Sequence, residues 1–329
     1  MQDFKNKRIN LIRGIAFLVV LLILFGIVSI KTESILISSD RLVPVRNKNI
    51  YRIQREPEDS IDVIVLGDSL SYSAISPMRL WKDYGYTSFV CGQSGQKMWE
   101  TEEMLQTVLK VQQPKVVILE TNAMFRDQKS GKKLNDSLEA MLNYYIPVFR
   151  GHDVWKSLVM NKEYVEENYK GFAFRCAVNP YEKGNYMKKT DEVEVIEEDV
   201  MENLIHISDM CEESDAKLIL LSTPSPINHN YARHNALSEC AKEMGLTYID
   251  MNLFPGLVGI NWKTDSLDYG DHLNLSGAEK VTKYLGKYLA ENENLTDHRL
   301  EEAYRSWIQE SAEYEEKASR QLQIIRGGS

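Results

Sequence analysis

Five short segments, "IDVIVL", "YTSFV", "PKVVILE", "AKLILLS" and "LTYIDM", are rich in β-branched residues and apolar on both faces, where a half-exposed strand would alternate. Strands of that kind need cover on both sides. Helical patterns with readable ends run between them. Ser76-Pro77 opens "PMRLWKDYG", "SGQKMWETEEMLQTVLKVQQP" carries an amphipathic helix ended by Pro114, and "NYARHNALSECAKEMG" closes on Gly245. The alternation predicts an α/β fold, a doubly wound, mostly parallel sheet with helices on both faces, in which ligands sit at the carboxyl ends of the strands. Ser69, Gly95 and Asn122 all fall at such ends.

Ahead of this pattern, Gly14 to Ile30 carries no charge and follows Lys5, Lys7, Arg8 and Arg13. At about 1.5 Å per residue such a run roughly spans a hydrocarbon core of about 30 Å, which predicts one N-terminal transmembrane helix. No A-x-A-like site follows it, so a retained signal anchor is expected. The basic residues hold the start in the cytoplasm, and everything after Lys31 is expected outside. The expected organisation is a basic start and anchor over 1–31, an extracytoplasmic connector or stalk over 32–60, an α/β domain over 61–291 and a charged helical tail over 292–329. An insertion at about 125–199, rich in Tyr, Lys and Asn, interrupts the alternation and is expected to form a substrate rim. The tail reads as a solvated or partner-packing helix.

A formal charge of -9 argues against nucleic acid as a partner, because phosphate contacts need a basic face. Cys91, Cys176, Cys211 and Cys240 contain no C-x-x-C pair and read as structural. No second histidine stands at metal-ligand spacing, so neither metal nor cofactor is expected.

Ser69 follows "IDVIVLGD", and a serine there is more often a turn former or helix cap than a nucleophile. A serine nucleophile needs a base for its proton and donors for the oxyanion. The base candidate is His272 in "SLDYGDHLNLSGAEKVTKYLGKYL", placed in the loop before a helix that the S-x-x-E capping box of Ser276 and Glu279 predicts to begin at that serine. His229 and His234 flank a helix start, His206 lies within a helix and His298 is in the tail. His152 in "RGHDVW" is the one rival.

The blocks "VIVLGDSLSYSAISP", "CGQSGQ", "VVILETNAMF" and "GDHLNLSGAEK" resemble, in order, the four blocks of the SGNH (GDSL-type) hydrolases, from about Asp62 to Leu289. The resemblance implies Ser69 as nucleophile with its own amide in the oxyanion hole, Gly95 as a second amide, the Asn122 side chain as a third donor and His272 as base. The family's third block usually reads G-x-N-D, where this chain has Glu120-Thr121-Asn122-Ala123. Its acid usually stands three residues before the histidine, where this chain has Tyr269. Asp268, four before, is favoured because Gly270 can absorb one extra residue. Asp271, one before, and a backbone carbonyl remain alternatives. The anchor, "STPSP" and "DHLNLSGAEK" look like extracytoplasmic members related to the D-alanine-transfer protein of teichoic-acid modification and to polysaccharide O-acetylation proteins. That resemblance implies acyl (acetyl or D-alanyl) esters of a cell-envelope glycan or teichoic-type polymer as substrate, and a membrane-bound O-acyltransferase as partner. A catalytically silent SGNH-like module that binds polymer or docks on the acyltransferase is the competing reading.

Overall fold

The computed structural model describes residues 2–39, 41, 48–126, 142, 146–151, 154–160 and 169–327. They fall into two compact units, Met1–Lys48 with Gln128–Val165, and Asn49–Asp127 with Glu166–Ser329.

In the first unit helix α1 (Gln2–Ser38) is long and apolar enough over Lys7–Ser38 to cross a membrane. Alongside it, the Phe25 and Phe149 rings lie 5.7 Å apart, and Val148 N donates to Ser29 Oγ at 3.3 Å.

The second unit carries a five-stranded parallel sheet in the order β2-β1-β3-β4-β5, with β1 (Val63–Leu66), β2 (Ser88–Val90), β3 (Val116–Glu120), β4 (Lys217–Ser222) and β5 (Thr247–Asp250). Every residue of β1, β2 and β3 is buried, as segments apolar on both faces require. Val63, Val65, Val116, Ile118, Ile219 and Leu221 share one face. It is covered by α2 (Ser69–Ala74), α3 (Pro77–Tyr84) and α7 (Leu275–Asn292), through Leu80, Val281 and Leu285. Alternate residues Ile64, Leu66, Val117 and Leu119 turn to the other face, under α4 (Met98–Val108) and α5 (Glu198–Glu213). Helix α6 (Tyr231–Met244) precedes β5 and closes on Gly245 at φ 68°. Chain order reverses between β1 and β3, so the crevice of the sheet opens where their carboxyl ends deliver Asp68-Ser69 and Asn122.

Three expectations change. Helix α7 is capped by Asn274, whose Oδ1 accepts from Ser276 N at 3.0 Å and Gly277 N at 3.3 Å, and no capping box forms at Ser276. Glu279 is diverted, accepting from Arg79 Nη1 at 3.0 Å and Tyr314 Oη at 2.6 Å. The 292–329 tail is not a solvated helix: in α8 (Arg305–Gly327) Trp307 and Tyr314 are buried, and the charges form only its outer face. From Asn49 onward the connector is no stalk, because Ile50, Tyr51 and Ile53 are buried and Asn49 Nδ2 donates to Gly92 O at 3.0 Å.

Candidate active site

Strand β1 ends at Gly67, whose φ of 136° suits glycine, and a Cβ there would sit 2.8 Å from the Cβ of Glu120 on β3. The chain then turns into α2 with Asp68 as its N-cap, Oδ1 accepting from Leu70 N at 2.9 Å. Ser69 is therefore the first residue of α2 and is 6% exposed. Its Oγ lies 2.8 Å from His272 Nε2, and His272 Nδ1 lies 2.7 Å from Asp268 Oδ2. An ionised carboxylate only accepts, so Nδ1 carries the proton and Nε2 presents its lone pair to the serine hydroxyl.

The extra residue between Asp268 and His272 is absorbed by two consecutive left-handed residues, Tyr269 at φ 60° and Gly270 at φ 94°. They turn the loop back on itself, so that His272 N donates to Asp268 Oδ1 at 2.6 Å while the ring meets Oδ2. Asp271 is the looser neighbour: its Oδ1 is 3.5 Å from Nδ1 and accepts from Asn228 Nδ2 at 2.6 Å.

An extended segment, 169–197, fastens this loop from outside. Asn179 N donates to Ser266 O at 3.0 Å, Tyr269 N to Asn179 O at 2.9 Å, Asn179 Nδ2 to Leu267 O at 2.6 Å and Leu275 N to Arg175 O at 2.7 Å. Tyr181 packs on Gly270 so closely that a Cβ there would lie 2.7 Å from its ring. This part of the insertion positions the histidine loop. Much of the remainder of 125–199, His152 included, lies outside the described residues.

Gly95, at φ 65°, stands in the loop after β2, which is tied to the serine turn by Gln93 N donating to Gly67 O at 3.3 Å. Among the described residues neither Ser69 N nor Gly95 N has an acceptor. Asn122 is the second residue of a 3₁₀ turn (Thr121–Phe125) after β3, and its Nδ2 donates to Asp68 Oδ2 at 2.7 Å. One amide hydrogen of Asn122 is thus committed to Asp68, beside Ser69, and the second is left.

Four residues to which the sequence assigned no role belong to this neighbourhood. Asp68 is 0% exposed, and its Oδ2 also accepts from Arg126 Nε at 2.5 Å. Arg233 donates from Nη1 to Asn122 Oδ1 at 3.4 Å and lies 4.6 Å over the Phe125 ring. Glu120 takes the place of the small residue in the third block and is fully enclosed; burial, then the charge of Asp68, pushes its carboxyl up to about 8. Hydrogen bonds oppose the shift, Asn122 N donating to Oε2 and Thr223 N and Oγ1 to Oε1. The Glu120 pKa is raised on folding, so the folded state holds the extra proton between about 4.5 and about 8, and stability falls as pH rises through that window. Glu120→Gln is expected to remove that fall, so that melting temperatures of mutant and wild type diverge with rising pH; parallel pH profiles would contradict the assignment.

The other described histidines are engaged elsewhere. His229 and His234 share Asp250 Oδ2 at 3.0 and 2.8 Å, His206 faces Glu102, and His298 Nε2 lies 2.8 Å from Asp62. Asp268, Asp271 and His272 bring three potential metal-ligand atoms within 4.8 Å. A cation there would take Nδ1 from Asp268, and the Nε2 bond to Ser69 gives the ring a use without one. None of the four cysteines is in a disulfide, and burial pushes the Cys240 and Cys211 thiols up to about 11 and about 12.

No known protein-family model matches the sequence, and no curated protein matches it. Among solved structures the chain is similar to the psychrotrophic esterase EstA of Pseudoalteromonas, at 12% identity over 71% of this chain and 98% of that chain, TM-score 0.39. It is similar to a lipase/acylhydrolase of Enterococcus faecalis at 11% identity over 72% and 98%, TM-score 0.36. A GDSL-like lipase of Bacteroides thetaiotaomicron is similar at 13% identity over 70% and 87%, TM-score 0.35.

Proposed function

We propose that this chain is an SGNH-type serine esterase or acyltransferase acting on acetyl or D-alanyl esters of a cell-envelope glycan or teichoic-type polymer. The observation that carries the reading is the unbroken line from Ser69 Oγ through His272 to Asp268, at 2.8 and 2.7 Å. Ser69 Oγ attacks the ester carbonyl while His272 Nε2 takes its proton. The oxyanion that forms is held by the Ser69 and Gly95 amides and the uncommitted hydrogen of Asn122 Nδ2. As the tetrahedral species collapses, the C–O bond breaks, the alkoxide leaves with the proton from His272, and the acyl group stays on Ser69. Water or a polymer hydroxyl then gives up its proton to His272, attacks the acyl-enzyme and restores the serine. Asp268 keeps the proton on Nδ1 and balances the imidazolium.

The uncharged run of α1 from Gly14 to Ile30, preceded by Lys5, Lys7, Arg8 and Arg13, supports a single-pass anchor with a cytoplasmic start and an extracytoplasmic domain. Wild-type protein is expected to be labelled by a fluorophosphonate and to cleave a short acyl ester, and Ser69→Ala is expected to lose both. Undiminished labelling or activity in that mutant removes Ser69 from the mechanism.

The commitment of Asn122 to Asp68 favours a second reading, a silent SGNH-like module that binds polymer or docks on a membrane O-acyltransferase. Failure of the wild type to react under conditions where an SGNH enzyme is labelled would select it.

A further inference from the structure

We propose that Arg126 selects substrates that carry a fixed anionic group, a phosphate or carboxylate, beside the ester bond; the inference rests on the hydrolytic reading of the Ser69 site. Among the described residues Arg126 makes one hydrogen bond, from Nε to Asp68 Oδ2 at 2.5 Å, and neither Nη1 nor Nη2 has an acceptor there. The single bond fixes where the others point. Asp68 caps α2 at the residue before Ser69, and Nη1 lies 3.8 Å from the position of a Gly95 Cβ, so the guanidinium stands next to the Gly95 loop and is tied to the residue that precedes the serine. Its side chain is 35% exposed, whereas Ser69 is buried at 6%. The fork therefore lies at the mouth of the site rather than at its floor.

Paired N–H groups on one planar edge match two oxygens of a phosphate or carboxylate, the geometry for which arginine is suited and lysine is not. The neighbouring Arg233 does not compete. Its donors go to Glu194, Asn228 O and Asn122 Oδ1. The oxyanion already has three donors without Arg126, which leaves its outer edge for a charge that exists in the ground state.

The test compares kcat and KM for O-acetylglycerol 3-phosphate with those for neutral O-acetylglycerol, and for p-nitrophenyl hydrogen succinate with those for p-nitrophenyl acetate. The expected result is a preference of about tenfold or more for one or both anionic esters, expressed in KM and weakened by salt. Arg126→Gln should abolish the preference through KM, and Arg126→Lys should restore part of it. The phosphate and carboxylate arms show which anion is read. Equal use of charged and neutral esters by the wild type overturns the proposal. So does a preference that survives Arg126→Gln, or a mutant that loses kcat equally on every ester, since that marks an effect exerted through Asp68 or on the oxyanion. If Arg126→Gln fails to fold, the wild-type ratios and the slowing of fluorophosphonate labelling by glycerol 3-phosphate, but not by glycerol, decide alone. A wild type that neither cleaves esters nor takes the probe overturns the hydrolytic reading itself, a result separable from the others.

Discussion

Replacing His272 by alanine is expected to lower kcat by about 10⁴- to 10⁶-fold on any ester the wild type cleaves, because a serine hydroxyl without a base is a poor nucleophile at neutral pH. The ring occupies the only described position from which a nitrogen reaches Ser69 Oγ, at 2.8 Å. His229 and His234, both on Asp250, cannot stand in for it. Single-turnover measurements should show the loss in the acylation step with binding little changed. A decrease smaller than about 100-fold would mean that another group removes the serine proton.

The second large effect separates the two candidate acids. Asp268→Asn is expected to reduce kcat by about 10²- to 10⁴-fold, since an amide in place of the carboxylate no longer selects the tautomer with hydrogen on Nδ1. The range extends low because the Asp268 side chain is 39% exposed, so solvent shares the work of supporting the imidazolium. Asp271→Asn is expected to cost less than about tenfold: its oxygen is 3.5 Å from Nδ1 and 41% exposed, and a pair of that kind is worth at most about 1 kcal/mol. The comparison is read from pH–rate profiles of the two mutants. Loss confined to Asp271→Asn would reverse the assignment.

What the sequence made legible was what periodicity and position encode. Strands apolar on both faces gave a covered parallel sheet, and the strand ends gave the places where Ser69, Gly95 and Asn122 stand. The loop before α7 brought His272 into reach, and the preference for Asp268 over Asp271 followed from a glycine that could take up one residue. Other features depend on where a side chain ends rather than where its residue sits. Asn122 turning to Asp68, Arg126 reaching back to Asp68 and Glu120 enclosed beside Asp68 are tertiary facts with no local pattern. Arg126 follows "TNAMF" directly, and only a cation so close to Asn122 hinted at it. The segment 169–197 was opaque for another reason. Its backbone bonds go to a loop about ninety residues away, and an extended strap of that kind has neither the 3.6 nor the 2.0 period. The buried face of α8 was hidden by the number of charges on its outer side.

That strap makes the reactive geometry a property of two distant pieces of chain. The amides of Tyr269 and Leu275 are bonded to Asn179 O and Arg175 O, so detachment of 169–197 releases the histidine loop while the five strands stay paired. Heat inactivation of the proposed esterase is then expected to follow a sub-global opening rather than melting of the sheet, with slow amide exchange kept throughout β1, β3 and β4 after activity is lost.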